Sequence, residues 1–243
     1  MPLIAMGLGH LTFSGDSFTI TGLILAAAIP TGITSFVWVA IYRGNTALTL
    51  AIILLDTVLS PFVVPYTLSV LIGAKVQMDT TAMMQGLFYM IVLPSLVGML
   101  LNQWTKGKIK ERWGPRLSPF SKITMGIVVA INSSVVAPFL RDISFDLVGL
   151  ALFVLGMASL GYILGWLIAR LMRWDHDIVV ALTFNGGMRN ISAGAVLAVA
   201  YFPPPVAIPV VLGMLFQQSL ASLFGYLLHR PSNANKSPSV HVS

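Results

Sequence analysis

Cysteine is absent from this 243-residue sequence, and charge is scarce. Without cysteine the chain cannot form disulfides, thiolate metal sites or a thiol nucleophile. Charged residues make up 9% of the chain, against about 25% in ordinary soluble domains. Hydrophobic residues make up 56%, which excludes a soluble globular protein and also a disordered chain, because disordered chains are poor in apolar residues. The composition therefore predicts a polytopic membrane protein.

The sequence contains several long runs without charged residues. A bilayer core of about 30 Å needs about 20 apolar helical residues, and the runs that approach or exceed this length are 17–42, 80–105, 123–140, 147–169 and 190–228. Another run, 44–74, is interrupted by Asp56 alone. Backbone polar groups in lipid must be satisfied within the segment, and the sequence has no alternating strand pattern, so we expect helical spans.

The basic residues fall on one side of these spans. Alternate threading through a bilayer puts eleven of the 14 lysines and arginines on the same side, which the positive-inside rule assigns to the cytoplasm. Membrane orientation thus accounts for the net charge of +6, so no nucleic-acid partner is expected and the C-terminus is predicted to be cytoplasmic. Arg189 fits neither side, because it lies deep within an apolar stretch. The eleven residues are Arg43, Lys106, Lys108, Lys110, Arg112, Arg116, Lys122, Arg170, Arg173, Arg230 and Lys236.

Two predicted spans are interrupted by helix breakers and polar residues near mid-membrane depth. The first break is 29–35, with the sequence IPTGITS, and the second is 185–192, with the sequence NGGMRNIS. Unwound backbone at that depth survives only where protein or a water-filled cavity satisfies it. Discontinuous helices at matching positions of two halves point to the binding site of a secondary transporter. A kinked structural helix is the alternative at either break.

The residues around both breaks resemble the bile acid:sodium symporter family. The resemblance is carried by the runs PTGITS at 30–35, YRGN at 42–45 and SPFVVP at 60–65, and by GMRN at 187–190, which is similar to the family's Gly-Met-Gln-Asn motif. That family has ten helices, arranged as two inverted five-helix repeats that form a core domain and a panel domain. The resemblance covers the third to tenth helices in order, so it implies a chain that lacks the first two helices and half of the third.

The fold class expected from this resemblance is an all-α inverted-repeat transporter with two crossing discontinuous helices. Residues 1–74 would form the remainder of the first repeat, with a half helix, a broken helix at 17–43 and a helix at 45–74. Residues 80–229 would form the second repeat, with helices at about 80–105, 119–140, 146–173 and 203–229 and a broken helix at 177–201. Residues 231–243 are expected to be a disordered cytoplasmic tail.

The resemblance also implies where sodium would bind. Phe36 and Ile53 supply no oxygen ligand, and the amide of Asn185 stands where the family has a glutamate. Arg189 brings a positive charge to the same place, and two like charges about 4 Å apart repel by about 4 kcal/mol at a dielectric of 20. We therefore expect no cofactor and a degraded sodium site near Ser35, Thr49, Asn185 and Met188. The positions that match the family's ligands are Ser35, Phe36, Thr49, Ile53, Asn185, Met188 and Arg189.

Arg189 requires a partner, because an unpaired arginine in the membrane interior costs at least about 2.5–3.5 kcal/mol. Asp56 is the other charge deep within a span, and it shares a helix face with Thr49 and Ile53. We predict an internal Asp56–Arg189 pair. Two independent contacts to backbone carbonyls are the alternative.

The predicted function is secondary active transport of small organic anions across a cell membrane, by alternating access around the two broken helices. The same fold with proton-coupled or uncoupled transport is one alternative, and a non-transporting fragment or accessory membrane subunit is another. No phosphate loop, metal-ligand cluster or nucleophile–base arrangement is visible in the sequence, so an enzyme is not expected. Substrate identity and oligomeric state stay open. The residues expected along the pathway are Thr31, Thr34, Ser35, Thr49, Asp56, Asn185, Gly187, Met188, Arg189, Asn190 and Gln217.

Overall fold

The structure is a computed structural model that describes residues 1–73, 79–140 and 144–228. In these ranges the regular secondary structure is helical, apart from one isolated β-bridge. The predicted tail, 231–243, lies outside the described residues. The helices are α1 (Pro2–Thr12), α2 (Ser17–Ala28), α3 (Thr34–Ile41), α4 (Thr46–Ile72), α5 (Thr80–Leu87), α6 (Leu93–Trp104), α7 (Lys108–Leu140), α8 (Phe145–Leu171), α9 (His176–Gly187), α10 (Ile191–Tyr201) and α11 (Ala207–Leu228).

Four helical segments of the described chain are long and apolar enough to cross a membrane. They are Thr46–Ile72, Thr80–Trp104, Phe145–Leu171 and Pro204–Leu228. Large apolar side chains on these segments are exposed at the protein surface, where lipid would cover them. The expectation of an all-α polytopic membrane protein is therefore confirmed. The division into two inverted repeats stays a prediction.

The segment Thr80–Trp104 is one span with a local change of winding. It comprises α5, a π-helical turn at Phe88–Val92 and α6. Pro94 lies in the first turn of α6 and has no backbone N–H to donate into the preceding turn. A π-helical segment of this kind usually occurs as a single turn inside an α-helix.

The basic segment that follows corrects one sequence prediction. We expected a connection there and a helix over 119–140, but α7 begins at Lys108 and contains Pro115 and Pro119. Lysine, arginine and glutamate are good helix formers, so the absence of an apolar run did not mean the absence of a helix. A charged segment cannot enter the bilayer core, but it can continue a span beyond it.

Two spans are broken, as the sequence indicated. In the first, α2 ends at Ala28 and α3 begins at Thr34. In the second, α9 ends at Gly187 and α10 begins at Ile191, so the break is confined to 188–190. The sequence had placed its start at Asn185, but Asn185, Gly186 and Gly187 are helical.

Close packing of α8 against α9 explains why the two glycines do not end α9 earlier. A methyl group built on Gly186 would lie 2.8 Å from the carbonyl oxygen of Gly161, and one built on Gly165 would lie 2.3 Å from that of Leu182. Small residues on both helices thus let the two backbones touch. Neighbouring α8 holds the last turn of α9 in helical form.

Candidate functional site

The two breaks cross and pair with each other through their backbones. The Gly32 N–H donates to the Met188 carbonyl at 3.0 Å, and the Asn190 N–H donates to the Pro30 carbonyl at 2.8 Å. Thr31 and Arg189 thereby form an antiparallel bridge. At each break, backbone N–H and C=O groups lose their partners within the helix. The other break supplies partners for these groups, as unwound backbone in a membrane requires.

Close approach at this crossing depends on Gly32. A methyl group built there would lie 2.7 Å from the carbonyl oxygen of Arg189, closer than real contacts allow. The crossing also brings helix ends together, because α2 and α9 end at it while α3 and α10 begin at it. Thr34 is the half-buried first residue of α3, and the Asn190 side chain caps α10 by accepting from the Ala193 N–H at 3.4 Å.

Asn185 links three elements beside the crossing through its side-chain amide. Its Oδ1 accepts from the Ser35 hydroxyl at 2.9 Å, and its Nδ2 donates to the Thr49 hydroxyl oxygen at 3.1 Å. Thr49 in turn donates to the carbonyl of Asn45 at 3.0 Å. Ser35, Thr49 and Asn185 are all buried. An amide has both a donor and an acceptor, so it satisfies both hydroxyls without an ion between them.

These residues do not fit a sodium ion. The amide of Asn185 holds Ser35 and Thr49 by hydrogen bonds, so the three side chains already have partners. The Met188 carbonyl accepts from Gly32, although a carbonyl oxygen keeps a second lone pair. No carboxylate is among the four residues, so a buried cation would lack a compensating charge. Ile53 stands at another of the positions that match the family's sodium ligands, and its side chain is buried and apolar.

The carboxylate of Asp56 is held to the first break. Its Oδ2 accepts from the Thr31 N–H at 3.2 Å and also from the Thr31 hydroxyl. Both donors belong to the same residue of the first break. Thr31 therefore connects the acid on α4 to the crossing.

Arg189 lines two cavities beside the crossing. One, which we call the apolar cavity, is lined mainly by apolar side chains and glycines. The other, which we call the acidic cavity, is lined by Asp56, Ser60, Pro30 and Arg189 among apolar residues. The apolar cavity is lined by Met1, Leu23, Ala26, Ala27, Val154, Met157, Ala158, Gly161, Gly186, Gly187, Arg189, Ile191, Pro209, Gly213 and Gln217.

The structure does not bring Asp56 and Arg189 into direct contact. Within the part of the chain that it describes, no ion pair under 4.0 Å and no hydrogen bond involves the Arg189 guanidinium. Both residues nevertheless line the acidic cavity. The contact predicted from the sequence is not made, because Thr31 supplies the donors to the carboxylate instead.

Gln217 supports the second break from α11. Its Oε1 accepts from the Arg189 N–H at 3.0 Å, and its backbone carbonyl accepts from the Tyr162 hydroxyl at 3.3 Å. The Tyr162 ring packs so closely on Gly187 that a methyl group there would lie 2.2 Å from the ring. Gly187 is thus required by the approach of α8.

Two features of the site were missed in the sequence. Tyr162 is fully buried against the crossing, but an isolated tyrosine in an apolar span has no distinguishing sequence signal. Asn45 caps α4 and donates from Nδ2 to the Asp177 carboxylate at 3.0 Å, which ties α4 to the start of α9. A signal for that contact was present, since Asn45 belongs to the run YRGN that carried the resemblance.

A crossing of two discontinuous helices with cavities beside it is typical of secondary transporters. The chain belongs to the SBF-like CPA transporter family, which it matches over residues 1–230. The resemblance to sodium-symporter-type transporters that the sequence motifs indicated is confirmed by this match and by the names of its relatives.

Three relatives illustrate the range of similarity. Uncharacterized protein YbaS of Bacillus subtilis is 56% identical over 230 residues, which is 95% of this chain and 75% of that protein. Uncharacterized sodium-dependent transporter YocS of the same organism is 27% identical, over 86% of this chain and 64% of its own length. Probable sodium/metabolite cotransporter BASS1 of Oryza sativa is 26% identical, over 85% of this chain and 50% of its own length. The chain thus spans half to three quarters of these relatives.

Proposed function

We propose that the protein is a secondary transporter of small organic anions that works by alternating access around the crossing. The observation that carries this proposal is the half-buried Arg189, which lines the apolar cavity beside the paired breaks. Arginine is donor-only and always charged, so a cavity that presents it to a solute favours an anion. The names of YocS and BASS1 as transporters support solute transport.

The start of α10 at the crossing also favours a negatively charged solute. α10 begins at Ile191, which lines the apolar cavity, and a helix N-terminus carries about half a positive charge. Helices that start at mid-membrane depth present this charge to a bound anion in other discontinuous-helix transporters. An anion in the apolar cavity would therefore meet Arg189 and the N-terminus of α10.

Alternating access would require the crossing to move as a unit against other spans. The mutual backbone hydrogen bonds of the two breaks, and the amide of Asn185 between Ser35 and Thr49, make the crossing one cooperative element. Movement of such an element relative to lipid-facing spans would open the cavities to either side in turn. The positive-inside rule orients this movement, with the C-terminus at the cytoplasmic face.

Coupling to sodium is proposed to be weak. YocS is named a sodium-dependent transporter and BASS1 a probable sodium/metabolite cotransporter. In this chain, however, the Asn185 amide binds Ser35 and Thr49 at the place where a sodium ion would need a carboxylate. The driving force would then come from the anion gradient or from protons.

Uptake into proteoliposomes tests the proposal. The purified protein is reconstituted and offered a panel of labelled small organic anions, with sodium or choline as the external cation. We expect accumulation of at least one monoanion above protein-free liposomes in both media. Uptake of no anion by folded protein would reject transport and favour an accessory membrane subunit. A requirement for sodium would leave transport standing but reject weak coupling.

A further inference from the structure

The end of α8 carries a cluster of charged and aromatic residues that shares no residue with the crossing. Trp166 and Arg170 are four residues apart and therefore lie on one face of this helix. The central carbon of the Arg170 guanidinium lies over the Trp166 ring, 5.5 Å from the ring centroid. Both residues line a surface cavity, which we call the interfacial cavity. Its lining includes Trp166, Arg170, Trp174, Asp175, Leu227 and Leu228.

The interfacial cavity lies where two membrane-crossing segments end. These segments are Phe145–Leu171 and Pro204–Leu228, and residues from the ends of both line the cavity. Trp166 and Trp174 are exposed there, and tryptophan is enriched at the boundary between membrane and water. The solutes that surround the cavity are therefore phospholipid headgroups.

Two opposite charges line the cavity without pairing with each other. Within the part of the chain that the structure describes, the side chains of Arg170 and Asp175 make no hydrogen bond and no ion pair under 4.0 Å. Asp175 stands at the N-cap of α9, but its carboxylate does not cap that helix. Both residues are exposed, so a ligand can reach them. The cavity thus offers one cation and one carboxylate to the same ligand.

The geometry of Arg170 favours a phosphate as one of the ligand's groups. The indole of Trp166 covers one face of the guanidinium plane and holds it by a cation–π contact. The N–H donors point outward in that plane, so they stay available to an acceptor. Arginine binds phosphate oxygens with two parallel hydrogen bonds.

The carboxylate of Asp175 determines the second group of the ligand. A carboxylate is an acceptor only, so it binds a donor that carries positive charge, such as an ammonium group. A ligand with a net negative charge would bring a phosphate beside Asp175 without supplying a partner for it. A zwitterion that contains both a phosphate and an ammonium group matches both residues.

We propose that the interfacial cavity binds the headgroup of a zwitterionic phospholipid with a primary ammonium group, such as phosphatidylethanolamine. The phosphate accepts from the Arg170 guanidinium, and the ammonium group donates to the Asp175 carboxylate. The acyl chains lie along the end of α11, where Leu227 is exposed to lipid. Because α8, α9 and α11 all contribute to the cavity, the bound lipid holds these three helix ends together. This binding does not depend on which solute the protein transports.

Other ionisable groups lie close to the cavity. Arg173 is exposed in the turn between α8 and α9 but does not line the cavity. It attracts anionic lipids in general, as juxtamembrane basic residues do. Asp177 accepts from Asn45 and is therefore already engaged. His176 also lines the cavity, but the proposed headgroup contacts do not involve it.

Native mass spectrometry of the purified, delipidated protein in detergent measures the lipid preference. Phosphatidylethanolamine, phosphatidylcholine and phosphatidylglycerol with identical acyl chains are offered in equal amounts. We expect at least about threefold more bound phosphatidylethanolamine than either competitor, which is the size of effect that exposed charge pairs produce. The quaternary ammonium of phosphatidylcholine has no N–H donor, and phosphatidylglycerol has no positive group. Equal binding of the three lipids, or a preference for phosphatidylglycerol, would overturn the proposal.

Glycerophosphoethanolamine distinguishes a lipid from a soluble zwitterion, because it has the same headgroup without acyl chains. In excess over the lipid it should displace little phosphatidylethanolamine, since it lacks the apolar contacts at the end of α11. Displacement at a concentration equal to that of the lipid would show that the cavity binds a soluble solute, and would overturn the assignment to a phospholipid.

Matched variants assign the two headgroup contacts. Arg170→Gln should lose at least about threefold of the bound phosphatidylethanolamine. Asp175→Asn should lose the preference for phosphatidylethanolamine over phosphatidylglycerol, while asparagine remains a good N-cap residue for folding. Arg173→Gln, outside the cavity, and Asp146→Asn, at the opposite end of α8, should keep the unmodified preference.

Melting temperatures in detergent give a second readout for the same variants. Without lipid, each variant should melt close to the unmodified protein, which shows that it is folded. Added phosphatidylethanolamine should raise the melting temperature of the unmodified protein and of Arg173→Gln more than that of Arg170→Gln, because a ligand stabilises the state that binds it. An unchanged lipid preference in both Arg170→Gln and Asp175→Asn would overturn the proposal.

Discussion

The hydroxyl of Ser35 donates to the amide oxygen of Asn185 at 2.9 Å, across a sequence separation that joins the two broken helices. The same amide donates to Thr49 on α4, so a single neutral side chain connects three elements at the crossing. A carboxylate at this position could accept from both hydroxyls but donate to neither. The choice of amide over acid therefore decides whether the network closes by itself or needs a cation.

The first prediction concerns sodium. Because Ser35, Thr49 and Asn185 satisfy one another, replacement of external sodium by choline at fixed membrane potential should reduce anion uptake less than tenfold. Tenfold corresponds to about 1.4 kcal/mol of binding free energy. Initial rates in proteoliposomes provide the measurement. A larger loss would mean that an ion binds at the crossing despite the amide.

The second prediction concerns replacement of the Asn185 amide by a carboxylate. Asn185→Asp places a charge in a buried site and removes the donor to Thr49, so the melting temperature in choline should fall. Sodium should raise that melting temperature, because a ligand that binds only the folded state stabilises it. The unmodified protein should melt equally in both salts.

Asn185→Leu is the control for the second prediction. It removes both hydrogen bonds without adding a charge, at a cost of about 1–3 kcal/mol for the hydroxyls that lose a partner. Its melting temperature should fall without any response to sodium. An equal response to sodium in both variants would show that the ion acts elsewhere.

Local composition located the two breaks but not their partners. Pro30 and Gly32 mark a place where a helix cannot continue, and so does the sequence around Arg189. Which residues leave the helix depends on neighbours, since α8 keeps Gly186 and Gly187 helical. The antiparallel pairing of the breaks is also a tertiary fact, because nothing in either segment specifies its register with the other.

Asp56 and Arg189 are a second case in which the sequence did not reveal the tertiary partners. Burial cost alone indicated that Asp56 and Arg189 belong together, and they do share a cavity. The immediate donor to the acid is Thr31, a residue whose importance the sequence indicated only by its place in the first break. Hydrogen-bond partners between distant segments cannot be read from spacing, so the direct contact was predicted wrongly.

The third prediction tests the close approach at the crossing. Gly32→Ala would put a methyl group 2.7 Å from the Arg189 carbonyl oxygen, where backbone must shift. Overpacking of this kind costs about 1–3 kcal/mol, so both the melting temperature and uptake should fall.

Gly7→Ala is the matched control, since a methyl group there meets nothing within 4 Å. Alanine in an exposed helix should be neutral or stabilising by up to about 1 kcal/mol. Normal uptake by Gly32→Ala would show that the breaks can separate without loss of function.

The last prediction concerns the coupling of Asp56 and Arg189 in folding. Asp56→Asn leaves the guanidinium without its counter-charge, whereas Arg189→Gln leaves a carboxylate that still accepts two hydrogen bonds from Thr31. We therefore expect Asp56→Asn to lose more stability than Arg189→Gln, because Thr31 continues to stabilise the charged acid in the second case. Asp56→Asn/Arg189→Gln should recover much of the loss, since no unpaired charge remains.

A double-mutant cycle on unfolding free energy measures this coupling. Interaction across the acidic cavity, without direct contact, should give a coupling energy above about 0.5 kcal/mol, which is the usual limit for additive, independent sites. The same cycle with Asp146→Asn in place of Asp56→Asn should be additive, because Asp146 lies exposed at the start of α8. Additive losses for Asp56 and Arg189 as well would mean that the cavity screens the two charges from each other. The acid would then be held by Thr31 alone, and the arginine would depend on its ligand for a partner.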